Sequence, residues 1–293
     1  GEPAVIPHSK HGIRREAISS GSRRTVETLQ EHGYKAFVVG GAVRDLLAGI
    51  PPKDYDVATN ATPEQVRQCF RRSRIIGRRF QIVHVLMGSE TIEVTTFRGH
   101  HGEQAQHTGS KAHTDAHGRL LRDNVFGSEK DDAARRDFTV NALYFDPTSE
   151  TIIDYHHGVA DLKQKMLRVI GDPKTRYRED PVRMLRAVRF AAKLDFEIEK
   201  HSAAPIRRLA PMLRDIPSAR LFDEVLKLFL AGRAERTFEL LVEYDLFAPL
   251  FPASARALER DPDYTGDLIR QALANTDERI ALGKPVTPAF LFA

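Results

Sequence analysis

Cysteine is almost absent from this chain: Cys69 is the only one in 293 residues. A lone thiol excludes an intrachain disulfide framework and fits a reducing compartment, so a cytoplasmic location is expected. Cys69 itself reads as a buried helix residue. Long apolar runs are missing too. No stretch approaches the roughly 18 residues of a membrane span, so no membrane association is expected. The opening GEPAVIPHSK lacks the charged-then-apolar layout of a signal peptide. No repeat of about 20 to 50 residues is evident, which argues against a solenoid. A start in Gly rather than Met, and an apolar end (AFLFA) with no stop signal, read as the trimmed front portion of a longer protein.

The length suits about two domains. Hydrophobic residues make up 41% of the chain and can build real cores. Charged residues make up 29%, with a net charge of +4. That modest excess permits a nucleic-acid partner without demanding one. The uneven spread of arginine says more than the total.

One stretch, Gly40 to Pro63, organises the rest: GGAVRDLLAGIPPKDYDVATNATP. Gly40-Gly41 lets the backbone approach a ligand closely. Val43 to Ala48 has the length of a short helix, and Gly49 suits its exit. The free N–H groups at that helix start would face a phosphate, with Arg44 as a forked donor on the first turn. Pro51-Pro52 ends any helix. Lys53 to Val57 then reads as a strand, which puts Asp54 and Asp56 on one face about 7 Å apart. Such a pair suits a hard cation such as Mg²⁺.

This ordered set resembles the signature of the nucleotidyltransferases of the DNA polymerase β superfamily. The form GG-x-VRD, followed by PKD-x-D-hydrophobic-x-T-x-A-x-P, is similar to the branch that holds CCA-adding enzymes and bacterial poly(A) polymerases. The resemblance implies an α+β fold: a polymerase β-like head with a small mixed sheet, then an all-α neck and body. The expected divisions are an extended arm (1–13), a catalytic head (14–170), and a helical nucleotide-selecting and RNA-binding part (171–293).

Other segments fit that plan. Ser19 to His32 reads as a helix stopped by Gly33, and Lys35 to Val39 as a buried strand. Thr62-Pro63-Glu64-Gln65 is a helix start. Six arginines follow (Arg67, Arg71, Arg72, Arg74, Arg78, Arg79) with only Glu64 opposing them nearby. They form either a solvated face or a phosphate-contacting one. Strands over Phe80–Met87 and Thr91–Phe97 make a hairpin. Within the second, Glu93 shares a face with Thr91 and Thr95, and the superfamily takes a third carboxylate from such a neighbouring strand. Residues 99–120 hold five histidines: His100, His101, His107, His113 and His117. Nothing there fixes tetrahedral zinc geometry, so a mobile polar loop is expected.

Ala133 to Leu143 reads as a helix carrying RRD-F-T-hydrophobic-N-A, the family's second motif. The resemblance implies that Arg136, Asp137 and Asn141 contact the incoming nucleotide. Asp161-Leu162 resembles the family's DL ending, although Gly158-Val159 stands where Gly-Gly is common. The domain boundary is expected near Gly171-Asp172-Pro173. Arg183, Arg186, Arg189 and Lys193 form a basic stripe opposite Leu185, Val188 and Ala192. Glu179, Asp180 and Arg183 form ED-x-x-R. These are either helix-start carboxylates favoured by the macrodipole or, as the resemblance implies, readers of the base edge. From Ile206 onward the periodicity is helical.

Gly77 to Val85 resembles the G-R/K-R/K-F-x-hydrophobic-x-H-V segment that marks bacterial poly(A) polymerases against CCA-adding enzymes. The implied reaction is template-independent addition of AMP from ATP to RNA 3′ ends, with two Mg²⁺ ions and release of pyrophosphate. The implied cation ligands are Asp54, Asp56 and Glu93, with Asp137 competing for third place. Gly40, Gly41, Arg44 and Lys53 would hold phosphates. Glu179, Asp180 and Arg183 would select adenine, and Arg71, Arg72, Arg78, Arg79, Arg186 and Arg189 would grip RNA. CCA addition is the neighbouring alternative. A non-catalytic RNA-binding protein would not need both aspartates and the glycine pair. Protein partners and oligomeric state are not written in the sequence.

Overall fold

The computed structural model describes residues 1–99 and 126–286. The chain divides into two compact units, Gly1–Lys163 and Gln164–Ala293. The division falls before the expected turn at Gly171 because Met166–Leu167 already pairs with Glu197–Ile198 in the second unit. The histidine-rich stretch falls, from His100 on, outside the described residues, and so does the AFLFA end.

The first unit is built on a mixed sheet of eight strands. They are β1 (Ala4–Ile6), β2 (Ala36–Val39), β3 (Asp56–Thr59), β4 (Ser73–Ile76), β5 (Ile82–Met87), β6 (Glu90–Thr96), β7 (Leu143–Asp146) and β8 (Thr151–Asp154). Their spatial order is β1-β8-β7-β2-β3-β6-β5-β4. β3 and β6 run parallel, while β2 pairs antiparallel with both β3 and β7. The sheet is larger than the small one expected, for two reasons. Part of the N-terminal arm adds as edge strand β1 on β8. The arginine run contains Ser73–Ile76, whose short alternating pattern is masked by charge, and it forms the opposite edge on β5.

Local chemistry explains the helices around the sheet. The helix Ser20–Glu31 starts where the Ser19 hydroxyl accepts the Ser22 N–H at 3.1 Å. Its Val26 and Leu29 are fully buried against the sheet side of the core. The helix Pro63–Cys69 has a complete capping box: Thr62 Oγ1 accepts from Gln65 N at 3.2 Å, and Gln65 Oε1 accepts from Thr62 N at 2.9 Å. Phe37, Phe97 and Tyr144 form a cluster of edge and stacked ring contacts over β2, β7 and the end of β6.

The expected helix over 133–143 is not one helix. A capping box between Ser128 and Asp131 starts Glu129–Ala134. The chain then turns, because the Asp137 carboxylate accepts its neighbour's N–H from Phe138 at 2.8 Å while Phe138 is extended. A short 3-10 turn, Thr139–Asn141, leads into β7. Such side chain-to-backbone competition is how Asp breaks helices.

The second unit is helical apart from its two-residue parallel pair. Helix Pro173–Glu179 is followed by Val182–Leu194, which buries Leu185, Val188 and Ala192 as the apolar stripe requires. Ser218–Phe229 packs against Val182–Leu194. Ala234–Glu243, Pro252–Arg260 and Pro262–Ala281 enclose a phenylalanine-lined core with Phe229, Phe238, Phe247 and Phe251. Among the described residues, no helix is long and apolar enough to cross a membrane.

Candidate active site

Strand β3 starts at Asp56, so Asp54 stands in the bend before it and not within it. The bend keeps the two aspartates close enough for the charge of Asp54 to act on Asp56. The parallel register sets Asp56 directly beside Glu93 of β6. The antiparallel register of β5 sets His84 beside Glu93, and that of β4 sets Arg74 beside His84. Directly opposed residues share a sheet face. Asp56, Glu93, His84 and Arg74 thus form one polar row across four strands, on the face away from the buried Val57, Val83, Val85, Ile92 and Val94.

Solvent reaches the Asp56 side chain, yet its carboxyl is pushed up to about 6. The surrounding protein removes part of its hydration, and the charge of Glu93 opposes its ionisation. Arg136 pulls the other way, and Asp54 adds a smaller upward push. Asp54, Asp56 and Glu93 together make a hard, all-oxygen donor set, which suits a divalent cation. Among the described residues, no three His, Cys, Asp or Glu side chains already stand as a closed cage for a metal ion. A cation here would draw carboxylates together rather than enter a finished cavity.

The glycine pair behaves as its sequence suggests. Gly40 has φ +67°, and a Cβ there would lie 3.2 Å from Arg136 Nη1. Gly40 precedes the short helix Gly41–Leu47. Arg44, expected as a forked donor on the first turn, is already engaged within the fold. It is buried, with its guanidinium 3.3 Å from where a Gly41 Cβ would stand. It pairs with Asp45 at 2.8 Å and donates to Asn141 Oδ1 at 2.6 Å. Asn141 in turn donates from Nδ2 to Asp137 Oδ1 at 3.1 Å. Arg44, Asn141 and Asp137 are one hydrogen-bonded chain, brought together by the turn rather than by a helix face. Lys53 is exposed in the bend before Asp54.

Sequence reasoning missed the residue that holds Arg136. Asp132 is fully buried and accepts from Tyr144 Oη at 2.6 Å, Arg135 Nη2 at 2.9 Å, Arg136 Nη2 at 3.2 Å and the Arg98 backbone N–H at 3.0 Å. Burial would raise its carboxyl, but Arg136 and Arg135 outweigh that and hold it below the usual range. The same network keeps Arg136 charged despite its burial, and burial, with Asp132 adding to it, pushes the Tyr144 hydroxyl up. The spacing of Asp132 and Arg136, four apart, was visible; complete burial of the acid in an EKDD run was not.

The remaining candidates lie elsewhere. Arg71, Arg72, Arg78 and Arg79 are exposed on either side of the edge strand β4. The turn between β4 and β5 requires Gly77, whose φ is +98° and whose Cβ would run into the Phe80 carbonyl oxygen. In the second unit, Arg183 Nη1 donates to the Arg176 carbonyl at 2.8 Å and to Glu179 Oε2 at 3.2 Å. Asp180 is bound by Arg220, another residue that sequence reasoning passed over, at 2.6 Å. Arg186 and Arg189 are half-buried beside the Phe190 ring, at 5.2 and 4.8 Å from its centre.

A family described as "Poly A polymerase head domain" matches residues 36–168, and "Probable RNA and SrmB- binding site of polymerase A" matches residues 195–258. Poly(A) polymerase I of Escherichia coli O6:H1 is 54% identical over 291 residues, which is 99% of this chain and 62% of that protein. The CCA-adding enzyme of Enterococcus faecalis is 38% identical over 76% of this chain and 52% of its own length. The solved Bacillus stearothermophilus CCA-adding enzyme in complex with CTP superposes with a TM-score of 0.65 at 35% identity, covering 78% of this chain and 53% of that one. The chain therefore spans less than two thirds of the curated relatives it matches. With both family segments in order and a 54%-identical relative matched along 99% of this chain, the chain belongs to the poly(A) polymerase family of nucleotidyltransferases.

Proposed function

We propose that this chain carries template-independent transfer of AMP from ATP to the 3′ ends of RNA, with release of pyrophosphate. The observation that carries the proposal is Asp56 set beside Glu93, with Asp54 in electrostatic reach, on a head of this family. Asp54, Asp56 and Glu93 are the residues that would hold Mg²⁺, as two ions in the complete reaction. Glu93 is preferred to Asp137 as the third carboxylate because Asp137 Oδ1 already serves Phe138 N and Asn141 Nδ2. Bound there, the divalent cation supplies charge neutralisation for the transferring phosphoryl group and the leaving pyrophosphate.

The protein's own groups do the rest. Gly40 and Gly41 allow close approach of phosphates, and Lys53 offers a mobile cation beside them. Arg136, fixed by Asp132, presents charge next to Asp56. Arg44 acts one step back, by holding Asn141 against the nucleotide's path. Asp180 accepts from the exocyclic amine of adenine, and Arg183, held by Glu179, donates to its ring acceptors. The exposed arginines around β4, with Arg186 and Arg189, grip RNA phosphates without reading bases. A reaction on cellular RNA and ATP places the work in the cytoplasm.

Long adenylate tails are favoured over CCA addition by the Gly77–Val85 segment and by the higher identity to poly(A) polymerases, 54% against 38%. CCA addition stays the second reading because the solved Bacillus stearothermophilus neighbour is a CCA-adding enzyme. The test is pyrophosphate release from ATP and a short oligoribonucleotide. Mg²⁺-dependent release, matched by AMP incorporated and lost in Asp56→Asn, is expected. Equal release by wild type and Asp56→Asn would contradict the assignment.

A further inference from the structure

We propose that the 3′ end of the RNA reaches the reacting centre across the open face of the sheet, entering over the β4 edge, with Arg74 and His84 on its last phosphates. The inference rests on the reading of Asp56 and Glu93 as the reacting centre and of Gly40-Gly41 as the phosphate cradle. The register fixes one continuous row of directly opposed residues: Tyr144, Val39, Asp56, Glu93, His84 and Arg74. The two ends of that row differ. On the β7 and β2 side, Tyr144 and Val39 are buried, and the Tyr144 hydroxyl is spent on Asp132. On the β6, β5 and β4 side, Glu93 and His84 are half-buried and Arg74 is exposed. Neighbouring strands lie about 4.8 Å apart, so the Arg74 backbone stands about 10 Å beyond that of Glu93. The next pair on the same face, Leu86 opposite Thr91, is exposed as well. The open surface is therefore wider than a single row.

The direction follows from the reaction. In an in-line transfer the attacking and leaving oxygens stand on opposite sides of the transferring phosphorus. Gly40 and Gly41 directly follow β2, so a triphosphate cradled there lies on the β2 side of Asp56. The attacking 3′-hydroxyl then comes from the other side, which is the side of Glu93, His84 and Arg74. The charges agree with that order. The acids stand where the hydroxyl meets the phosphoryl group, and a guanidinium stands where the line of RNA phosphates begins. An arginine on an edge strand could serve only to block edge pairing. His84 has no such use, because β5 lies between β4 and β6 and has no free edge. Its place between an acid and an arginine suits an outward donor, since either neutral tautomer of imidazole carries one N–H. Such contacts hold the RNA backbone without reading bases, as a primer of no fixed sequence requires. Arg71, Arg72, Arg78 and Arg79 flank β4 and carry the same path past the edge.

The experiment is primer extension with Mg²⁺, ATP and an oligoribonucleotide in which one linkage at a time, counted from the 3′ end, is a neutral methylphosphonate. Wild type, Arg74→Ala, Arg74→Lys, His84→Ala and His84→Gln are compared. Arg74→Ala is expected to raise the KM for RNA about three- to tenfold. The KM for ATP and the kcat at saturating RNA should stay within about twofold. The salt dependence of RNA binding should fall in slope by about 0.7, the value of one phosphate contact on a single strand. Arg74→Lys keeps the charge and should recover part of the loss. His84→Ala should raise the same KM less, and His84→Gln, which still donates, should recover it. In wild type the penalty of a neutral linkage should be largest near the 3′ end. At the linkage that Arg74 meets, neutralisation should cost Arg74→Ala nothing further, whereas linkages toward the 5′ end should cost both proteins alike. An unchanged KM for RNA in both alanine variants, with transfer by wild type intact, would overturn the inference alone. So would losses that add at every linkage, or an equal rise in the KM for ATP. The wild-type arm needs no variant to fold: a penalty that is flat along the primer would also overturn the inference. Absence of Mg²⁺-dependent transfer by wild type to any RNA, with ATP or CTP, would overturn the proposed reaction and the inference with it.

Discussion

Asp56 of β3 and Glu93 of β6 are direct neighbours in a parallel register. Like charges set side by side on a sheet are destabilising. The fold keeps this pair open on the polar face, with Asp54 adding to the repulsion and Arg136 only partly relieving it. A divalent cation is the partner that removes the conflict.

Asp56→Asn and Asp54→Asn should each abolish nucleotidyl transfer while leaving the fold intact. Asparagine keeps the shape but loses the charge that a hard cation needs. The melting temperature of Asp56→Asn without divalent cations should equal or exceed that of the wild type. A cooperative unfolding transition well below wild type would show that Asp56 serves the fold instead.

The raised carboxyl of Asp56 gives a pH dependence with a definite sign. Its value moves from 3.8 to about 6, so the folded chain binds more protons than the unfolded chain between those limits. The contribution of Asp56 to stability is present below that window and is lost as pH rises through about 6. Cations compete with the same proton. The rise in melting temperature caused by Mg²⁺ should be larger at pH 7.5 than at pH 5, and Asp56→Asn should flatten the difference. An equal Mg²⁺ effect at both pH values would contradict this.

Arg44→Leu should destabilise the first unit strongly. The side chains of Arg44 and Asp45 are only 5% and 8% exposed, so the change takes a paired guanidinium away from a buried carboxylate. Removal of one partner from such a pair costs about 3–5 kcal/mol. It also releases Asn141, so ATP binding should weaken in whatever fraction remains folded. Chemical denaturation measures the first effect. A loss below about 1 kcal/mol would mean that water takes over the role of Arg44.

Arg183→Ala should relax the preference for ATP over CTP more than it lowers thermal stability. The guanidinium makes one side-chain contact to Glu179 and one to the Arg176 carbonyl, and both partners remain near solvent or within a helix end. Nucleotide competition under single-turnover conditions reads the preference. A variant that unfolds readily but keeps full ATP preference would make Arg183 structural.

Much of this was legible in the residues. Gly40-Gly41, the two aspartates and the alternation that sets half-buried Glu93 opposite buried Ile92 and Val94 are local signals. The Thr62 capping box is likewise written in four adjacent residues. What escaped depends on partners far away in sequence. β4 hides in an arginine run because its strand character comes from pairing with β5. Arg44 read as a forked phosphate donor on the first helix turn, and its bond to Asn141, 97 residues on, left no local trace. The helix expected over 133–143 failed because Asp137 bonds its neighbour's backbone, a local competition that periodicity does not reveal. Asp132 and Arg220 carry no motif that separates them from solvated charge.

The most direct measurement is the product ladder. A generic oligoribonucleotide and a tRNA lacking its final residues are offered with Mg²⁺, and with ATP and CTP separately and together. Many successive A additions on the generic oligomer, with little use of CTP, are predicted. The grip on that strand should weaken with salt at a slope of about −0.7 per phosphate neutralised. Addition confined to the tRNA, stopping after C, C and A, would contradict the adenylate-tail assignment and make the chain a CCA-adding enzyme.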